Sequence, residues 1–324
     1  MAGNVWVVAE SWRGAVSDAS HESLALGRSL ADALGVSLEA ILLGHGSSGL
    51  AGSLAPADGV LSVEHPTLAD ASGLQASRAI AALASERSPA AILVPATNLS
   101  WDLLGLLPAR LHAPLINFCR AVEVVGGVLQ VHALLYGGKM TVTVAAGPGP
   151  VVLGILPGAA TAVPHPGASA PTVEQVAVDL PSDPGVRLLE YEEPDAGDVD
   201  VTQQEVLIGV GRGISSEANL EVAEDLAHQL GGAVCGSRPV IDQGWLPLSR
   251  QVGKSGATVK PRLYVAAGIS GAPEHVEGMR DAETIIAVNT DAGAPIFSVA
   301  HYGIVDDATD VLEALAEAVR KRKG

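Results

Sequence analysis

A chain of 324 residues that is 48% apolar and 3% aromatic, with a formal net charge of −17, is long enough for two ordinary domains and too acidic to suit a nucleic-acid backbone or an anionic membrane surface. Its two cysteines, Cys119 and Cys235, stand far apart and outside any CxxC or Cys/His cluster, so neither a disulfide framework nor a metal site is indicated, and both are expected to be buried. The first residues, MAGNVWVVAE, carry no basic segment, and no apolar run reaches the ~18 residues of a membrane span, so a cytoplasmic location is the default expectation.

The first half alternates strands with helices. Val5–Ala9 (VWVVA) reads as a buried strand, and Leu24, Leu26, Leu30 and Leu34 within residues 21–34 set one helical stripe. Ser37–Leu43, Val60–Val63 and Ala91–Val94 predict strands, while residues 70–87 and Trp101–Leu111 predict helices. That alternation implies a mainly parallel sheet. Gly126-Gly127, within Ala121–Val131, signals a hairpin, and with strands at 140–145 and 151–155 it predicts an antiparallel extension. From Pro157 to about Val199 the chain is loaded with Pro, Ala, Ser, Asp and Glu and holds no periodicity, which reads as a linker or wrapping segment.

A second α/β domain begins at the strand Glu205–Gly209, which runs into the glycine-rich turn GVGRG. Ser215 or Ser216 is placed to cap the next helix, whose buried stripe is Leu220, Ala223, Ala227 and Leu230. Strands at AVCG, 262–267 and 284–288 follow, and a helix from about Asp307 to Arg322 closes the chain on a basic last turn that suits the helix terminus. The predicted fold class is α/β, with an N-terminal mixed-sheet domain over 1–198, its Pro-rich connecting segment at 157–199, and a C-terminal parallel-sheet domain over 199–324.

Signals for bond-breaking chemistry are weak. The glycines at 209, 211 and 213 are spaced GxGxG, unlike the dinucleotide fingerprint, and no acidic ribose partner is obvious ~20 residues on. GKS at 253–255 would need glycine at 248 to be a P-loop, and Leu248 stands there. No GxSxG precedes a helix, and His45, His65, His112, His132 and His165 lack metal spacing or a paired acid. The outstanding stretch is 251–275, in which QVGKSG and ISGAPEH flank the apolar strand LYVAAG and end at His275. Glycine lets backbone N–H groups approach a ligand closely, and two such loops can cradle a phosphate-bearing cofactor. Arg212, Ser237-Arg238, Asn289 and Asp307 fall at other strand-to-loop junctions, where parallel α/β domains bind ligands.

The ordered run GSRPVIDQGWLP, QVGKSGATVKPRLYVAAGISGAPEH, IIAVNTDAGAPIF and VAHYGIVDD resembles the alpha subunit of electron-transfer flavoproteins over most of residues 205–320. PATNLSWDLLGLLPARL and the strand pair around LLYGGK carry a weaker likeness in the first half. The resemblance implies a C-terminal FAD-binding domain of Rossmann-like, dinucleotide-binding type and an electron carrier rather than an enzyme. It implies a heterodimer with a beta subunit that carries AMP, and an N-terminal domain that packs with that subunit. Electrons would arrive from flavin dehydrogenases such as the acyl-CoA dehydrogenases of fatty acid beta-oxidation and leave to a quinone oxidoreductase or another acceptor.

By the same resemblance Arg238 lies against the flavin ring, where its charge favours the reduced anionic form. His275 donates a hydrogen bond near the pyrimidine end. Ser255 stands where the family commonly has threonine near flavin N5, in a loop completed by Gln251, Val252, Gly253 and Lys254. Ser270, Gly271, Ala272, Pro273 and Glu274 form the second loop, and Arg212, Ser237, Asn289, Asp307 and Ala308 match positions at the phosphates, ribityl chain or adenosine. His301 replaces a usual aspartate, and Lys254 and Glu274 replace common glutamines, changes expected to add charge near the cofactor. Two other readings stay open here: an NAD-dependent enzyme on a related domain, and an electron-bifurcating variant with a second FAD in the beta subunit.

Overall fold

Strands that are apolar on both faces need cover on both sides. In the computed structural model, residues 3–69, 73–136, 138–147, 149–161, 170–183, 185–190 and 198–323 are described, and the chain divides into the units Met1–Glu190 and Tyr191–Gly324. The first unit runs β1 (Val5–Ala9), a ribbon of β2 (Ser11–Trp12) and β3 (Ala15–Val16), α1 (Asp18–Leu34), β4 (Leu38–Gly44), β5 (Gly59–Glu64), α2 (Gly73–Arg87), β6 (Ala91–Pro95), α3 (Trp101–Leu111), β7 (Leu115–Val125), β8 (Val128–Leu135), β9 (Met140–Ala145), β10 (Val151–Ile155) and β11 (Thr172–Gln175).

Among the described residues these strands form one nine-stranded sheet in the order β11-β5-β4-β1-β6-β10-β7-β8-β9. Pairings are parallel from β11 through β7 and antiparallel along β7-β8-β9. Alternation sorts the central strand: Val5, Val7 and Ala9 join Leu24 and Leu30 of α1, whereas Trp6 and Val8 join Ile80, Leu83, Leu104 and Leu107 of α2 and α3. Helix α1 lies so close to β1 that a Cβ on Gly27 would come 2.7 Å from Val7 Cγ2.

Three expectations change, and a fourth is met over the residues described. The strand at 151–155 is not part of the antiparallel extension; it returns to the middle as β10, parallel between β6 and β7. The Pro-rich stretch is more than a linker, because Thr172–Gln175 pairs with β5 and Val176, Val178 and Leu180 pack beneath α2 and α3. Helix α1 starts at Asp18, where the Ser17 side chain accepts from the Ser20 N–H. The helix expected over 70–87 is described from Gly73, residues 70–72 lying outside the described residues.

The second unit runs β12 (Val206–Val210), α4 (Leu220–Leu230), β13 (Ala233–Gly236), α5 (Arg238–Ile241), β14 (Leu263–Ala267), α6 (Pro273–Val276), β15 (Thr284–Val288), β16 (Tyr302–Ile304) and α7 (Ala308–Lys323). Its sheet is parallel throughout, in the order β13-β12-β14-β15-β16. That is a doubly wound arrangement with the chain reversing direction between β12 and β14, and it differs from the six-strand order of the classical dinucleotide fold. One face carries α4 and α7, packed on Ile208, Val210, Val265 and Ala267. The other is covered by irregular chain, with Val252, Val259, Met279 and Ile296 packed on Leu207, Tyr264, Ala266 and Ala287.

Neither Ser215 nor Ser216 caps α4; the chain makes 3₁₀ turns there and Asn219 stands at the N-cap, its amide donating to the Ile214 carbonyl. The glycines of GVGRG answer to packing. Gly211 N–H donates to the Ala267 carbonyl at 2.9 Å, and Gly213 N–H to the Gly268 carbonyl at 3.0 Å. A Cβ on Gly211 would lie 2.7 Å from the Gly268 carbonyl carbon and 2.8 Å from Ile269 Cα. Gly211→Ala is therefore expected to destabilise this unit by about 1–3 kcal/mol, as overpacking does. Gly105→Ala, on an open face of α3, should instead stabilise by about 0.5–1 kcal/mol. Urea unfolding of the two variants checks both signs.

Candidate functional site

Because all five strands of the second unit run the same way, every loop leaving a strand end emerges on one edge. Arg212 follows β12, Ser237 and Arg238 follow β13, Ser270 to His275 follow β14, Asn289 follows β15, and Asp307 and Ala308 follow β16. The edge is held together by main-chain bonds. Val252 N–H donates to the Gly236 carbonyl at 3.0 Å, which ties the Gln251–Ser255 loop to the end of β13. Lys254 N–H donates to the Glu274 carbonyl at 2.7 Å and joins the two glycine-bearing loops. Gly253, at φ +136, would carry a Cβ 2.8 Å from that same carbonyl oxygen, so only glycine fits without displacement.

Each expected residue has a definable place. Gln251 is buried and its Nε2 donates to Ser255 Oγ at 2.9 Å. Asn289 Nδ2 donates to the Ile269 carbonyl at 3.0 Å, and its Oδ1 accepts the Asp291 N–H at 2.9 Å, so its amide braces the loops after β14 and β15. Ile296 N–H donates to the Ser270 carbonyl beside Gly271, at φ +86. The Asp307 carboxylate accepts from the Thr309 and Asp310 N–H groups at 2.8 and 3.3 Å and opens α7. Ala308 is buried in the core that α4 and α7 share. Ser237 is buried at the start of α5, with its N–H on the Val210 carbonyl. Arg212 is exposed, and Arg238 is 69% exposed with Nε 3.6 Å from Asp242. Lys254 is exposed, and Glu277 lies 4.0 Å from its Nζ. Ala272, Pro273 and Glu274 are exposed at the start of α6.

His275 is 6% exposed. Its Nε2 lies 3.0 Å from the Tyr264 hydroxyl, while its Nδ1 has no hydrogen-bond partner. Burial lowers its pKa to about 4 against the smaller opposing effect of the Val252 backbone, so the ring is neutral at neutral pH. The partner, Tyr264, is fully buried, and its hydroxyl lies 3.5 Å from Cys235 Sγ. Its phenol passes over Gly209, where a Cβ would come within 2.7 Å of the ring. Cys119 and Cys235 are buried free thiols, each pushed up to about 12 by desolvation.

Sequence reading missed Tyr264, hidden in an otherwise aliphatic strand, and a clamp at the head of the Gln251 loop. There the Asp198 carboxylate accepts from Ser249 Oγ and, at 2.7 Å, from Arg250 Nε. The expectation that His301 adds charge near the site is overturned. His301 Nδ1 accepts the Ile285 N–H at 2.9 Å, at the beginning of β15 and so at the opposite end of the strands from the loop edge.

These features fit a flavin nucleotide. Exposed guanidinium groups stand at an edge whose loops have no room for side chains at their glycines, and a buried ring nitrogen of His275 lacks a partner. Among the described residues no group of His, Cys, Asp and Glu could hold a metal ion.

Residues 200–280 match the model of the electron transfer flavoprotein FAD-binding domain, and residues 5–181 match that of the electron transfer flavoprotein domain. Protein FixB of Clostridium saccharobutylicum is 40% identical over 97% of this chain and 96% of its own length. The electron transfer flavoprotein subunit alpha of Clostridium acetobutylicum is 35% identical over 98% and 96%. The acryloyl-CoA reductase electron transfer subunit beta of Anaerotignum propionicum is 33% identical over 99% and 96%.

A buried neutral histidine makes stability acid-sensitive. With the folded value near 4 and an ordinary value of 6.5, protonation favours the unfolded chain. Stability is then complete above 6.5 and falls as pH drops toward about 4, by up to about 1.4 kcal/mol per pH unit. Urea midpoints of the wild type and His275→Asn, followed from neutral to acid pH, should diverge over that window; parallel curves would contradict the burial.

Proposed function

The chain belongs to the electron transfer flavoprotein family as an alpha subunit, and from that premise we propose how its C-terminal unit holds FAD and which redox partners it serves. The protein is an FAD-binding electron carrier that pairs with a beta subunit. Bound FAD supplies reversible electron acceptance, so the protein groups need to bind, orient and tune rather than break bonds. The family reading displaces the NAD-enzyme alternative.

The observation that carries the assignment of residues is the unpartnered Nδ1 of His275, in the loop that follows β14. A buried ring nitrogen left without a partner is costly and marks a place for a ligand atom. Ser255 Oγ accepts from Gln251 Nε2, which leaves its own O–H proton for the ligand. Arg238 supplies a fixed positive charge to the flavin ring, and Arg212 supplies one to the pyrophosphate. Lys254, Ser270, Gly271 and Asn289 complete the walls, with Ser237, Asp307 and Ala308 toward the ribityl and adenosine parts. The capping bonds of Asp307 leave its carboxylate little freedom to turn.

The first unit, Met1–Glu190, packs with the beta subunit, which carries AMP, and the second, Tyr191–Gly324, holds FAD, with Asp198 clamped to Ser249 and Arg250 on the second unit's side of the expected limit at 198/199. The proposed donor is a flavin dehydrogenase acting on acyl-CoA thioesters; the relative named for an acryloyl-CoA reductase supports acyl-CoA chemistry in the redox partner, though a reductase draws electrons from its carrier. A quinone oxidoreductase is the proposed acceptor, and the cytoplasm the proposed location. No helix among the described residues is long and apolar enough to cross a membrane.

Co-purification with the beta subunit should give a yellow complex carrying one FAD. A colourless complex that added FAD cannot restore would overturn the reading, and two flavins per heterodimer would assign the bifurcating variant. Arg238→Ala should lower the flavin potential by on the order of tens of millivolts, 30 mV being about 1.4 kcal/mol for two electrons. An unchanged redox titration removes Arg238 from the ring.

A further inference from the structure

We propose that Tyr264 is a positioning residue that fixes His275 as the neutral tautomer with its proton on Nδ1, so that His275 meets the cofactor as an N–H donor. The inference rests on the placement of His275 against FAD, but the tautomer is a property of this chain alone.

A neutral imidazole has one donor and one acceptor nitrogen, and the group bonded to one decides the role of the other. Nε2 is bonded to the Tyr264 hydroxyl at 3.0 Å. A phenol has a single proton, and the direction in which it points is set by what else reaches its oxygen. Cys235 Sγ lies 3.5 Å from that oxygen, with geometry for the thiol to donate. Desolvation keeps that thiol protonated. The phenol proton is then directed to Nε2, which must be the bare nitrogen, and the imidazole proton belongs on Nδ1.

The reverse arrangement would send Nε2–H to the phenol oxygen and the phenol proton to sulfur, a weak acceptor. It would also leave Nδ1 a buried lone pair with no donor beside it. Tyr264 is held for this task. It is fully buried on β14, its hydroxyl reaches across β12 to Cys235 on β13, and Gly209 has no side chain to block the path. A neutral N–H donor can answer negative charge on a flavin ring without releasing a proton to water.

The test uses the full heterodimer labelled with ¹⁵N-histidine, with FAD removed and then restored, and assigns His275 by its loss in His275→Asn. The wild type should show one tautomer, with the proton on Nδ1 and Nε2 bare. Cys235→Ser, which keeps a donor beside the phenol, should preserve it. Tyr264→Phe should give a mixture of both tautomers and weaken FAD binding about tenfold. A proton on Nε2 in the wild type, or an unchanged Nδ1–H in a folded Tyr264→Phe protein, would overturn the proposal. If Tyr264→Phe does not fold, a wild-type correlation between the Tyr264 hydroxyl proton and bare Nε2 supports it, and absence of that correlation with Nε2 protonated overturns it. Adding FAD should shift the Nδ1–H signal. If the tautomer holds and the signal does not move, the placement of His275 against flavin fails while the role of Tyr264 stands.

Discussion

Two main-chain turns touch where β12 and β14 end, with Gly211 bonded to the Ala267 carbonyl and Gly213 to that of Gly268. Nothing larger than hydrogen fits on the facing glycines without moving backbone. That approach fixes the height of both loops at the strand ends. The Ser270–His275 loop starts from it, and through Lys254 and Glu274 the Gln251–Ser255 loop is fixed as well. A parallel sheet brings the loops to one edge; the glycine contacts decide how closely they converge.

The first unit shows what the same kind of edge looks like when the protein fills it with its own groups. Glu10, just past β1, is buried and accepts from Ser17 and Thr97. Glu64 accepts from the Gly46 and Ser48 N–H groups at 2.5 and 2.7 Å, and these bonds hold its carboxylate below the usual range against the opposing effect of burial. Backbone donors of the kind that bind phosphate already have a carboxylate here. At the corresponding edge of the second unit stand Arg212, Arg238 and Lys254. Net charge alone, −17 over the chain, hides this division of labour.

Much of the fold was legible wherever an element's own residues specify it. Val5–Ala9 and Ala91–Pro95 are apolar on both faces because both faces are covered. The place of β10 in the sheet was not legible, since pairing with β6 and β7 depends on partners distant in sequence. Thr172–Gln175 is an exposed edge strand, and Tyr302–Ile304 is three residues long and mostly exposed, so neither has the apolar pattern that announces a strand. At the site, the loops were visible through their glycines and polar residues. Tyr264 was not, because in LYVAAG its ring satisfies the pattern of a core strand and its hydroxyl gives no periodic sign. His301 misled for a related reason: its motif suggested the site, while its Nδ1 accepts a main-chain N–H at the far end of the strand, a task an aspartate oxygen performs equally well.

The closeness of the glycine turns has a kinetic side. Carrying an electron changes the charge at a site, and the rate depends on how far the surrounding dipoles must turn in response. Here the groups around the site are largely peptide units bonded to one another and a histidine whose far nitrogen is already bonded to Tyr264. Such dipoles are oriented before the charge arrives and have little room to rotate afterwards. The interlocked backbone thus lowers the share of the reorganisation energy that the protein's own dipoles contribute, while the exposed Arg212, Arg238 and Lys254 leave the remainder to solvent.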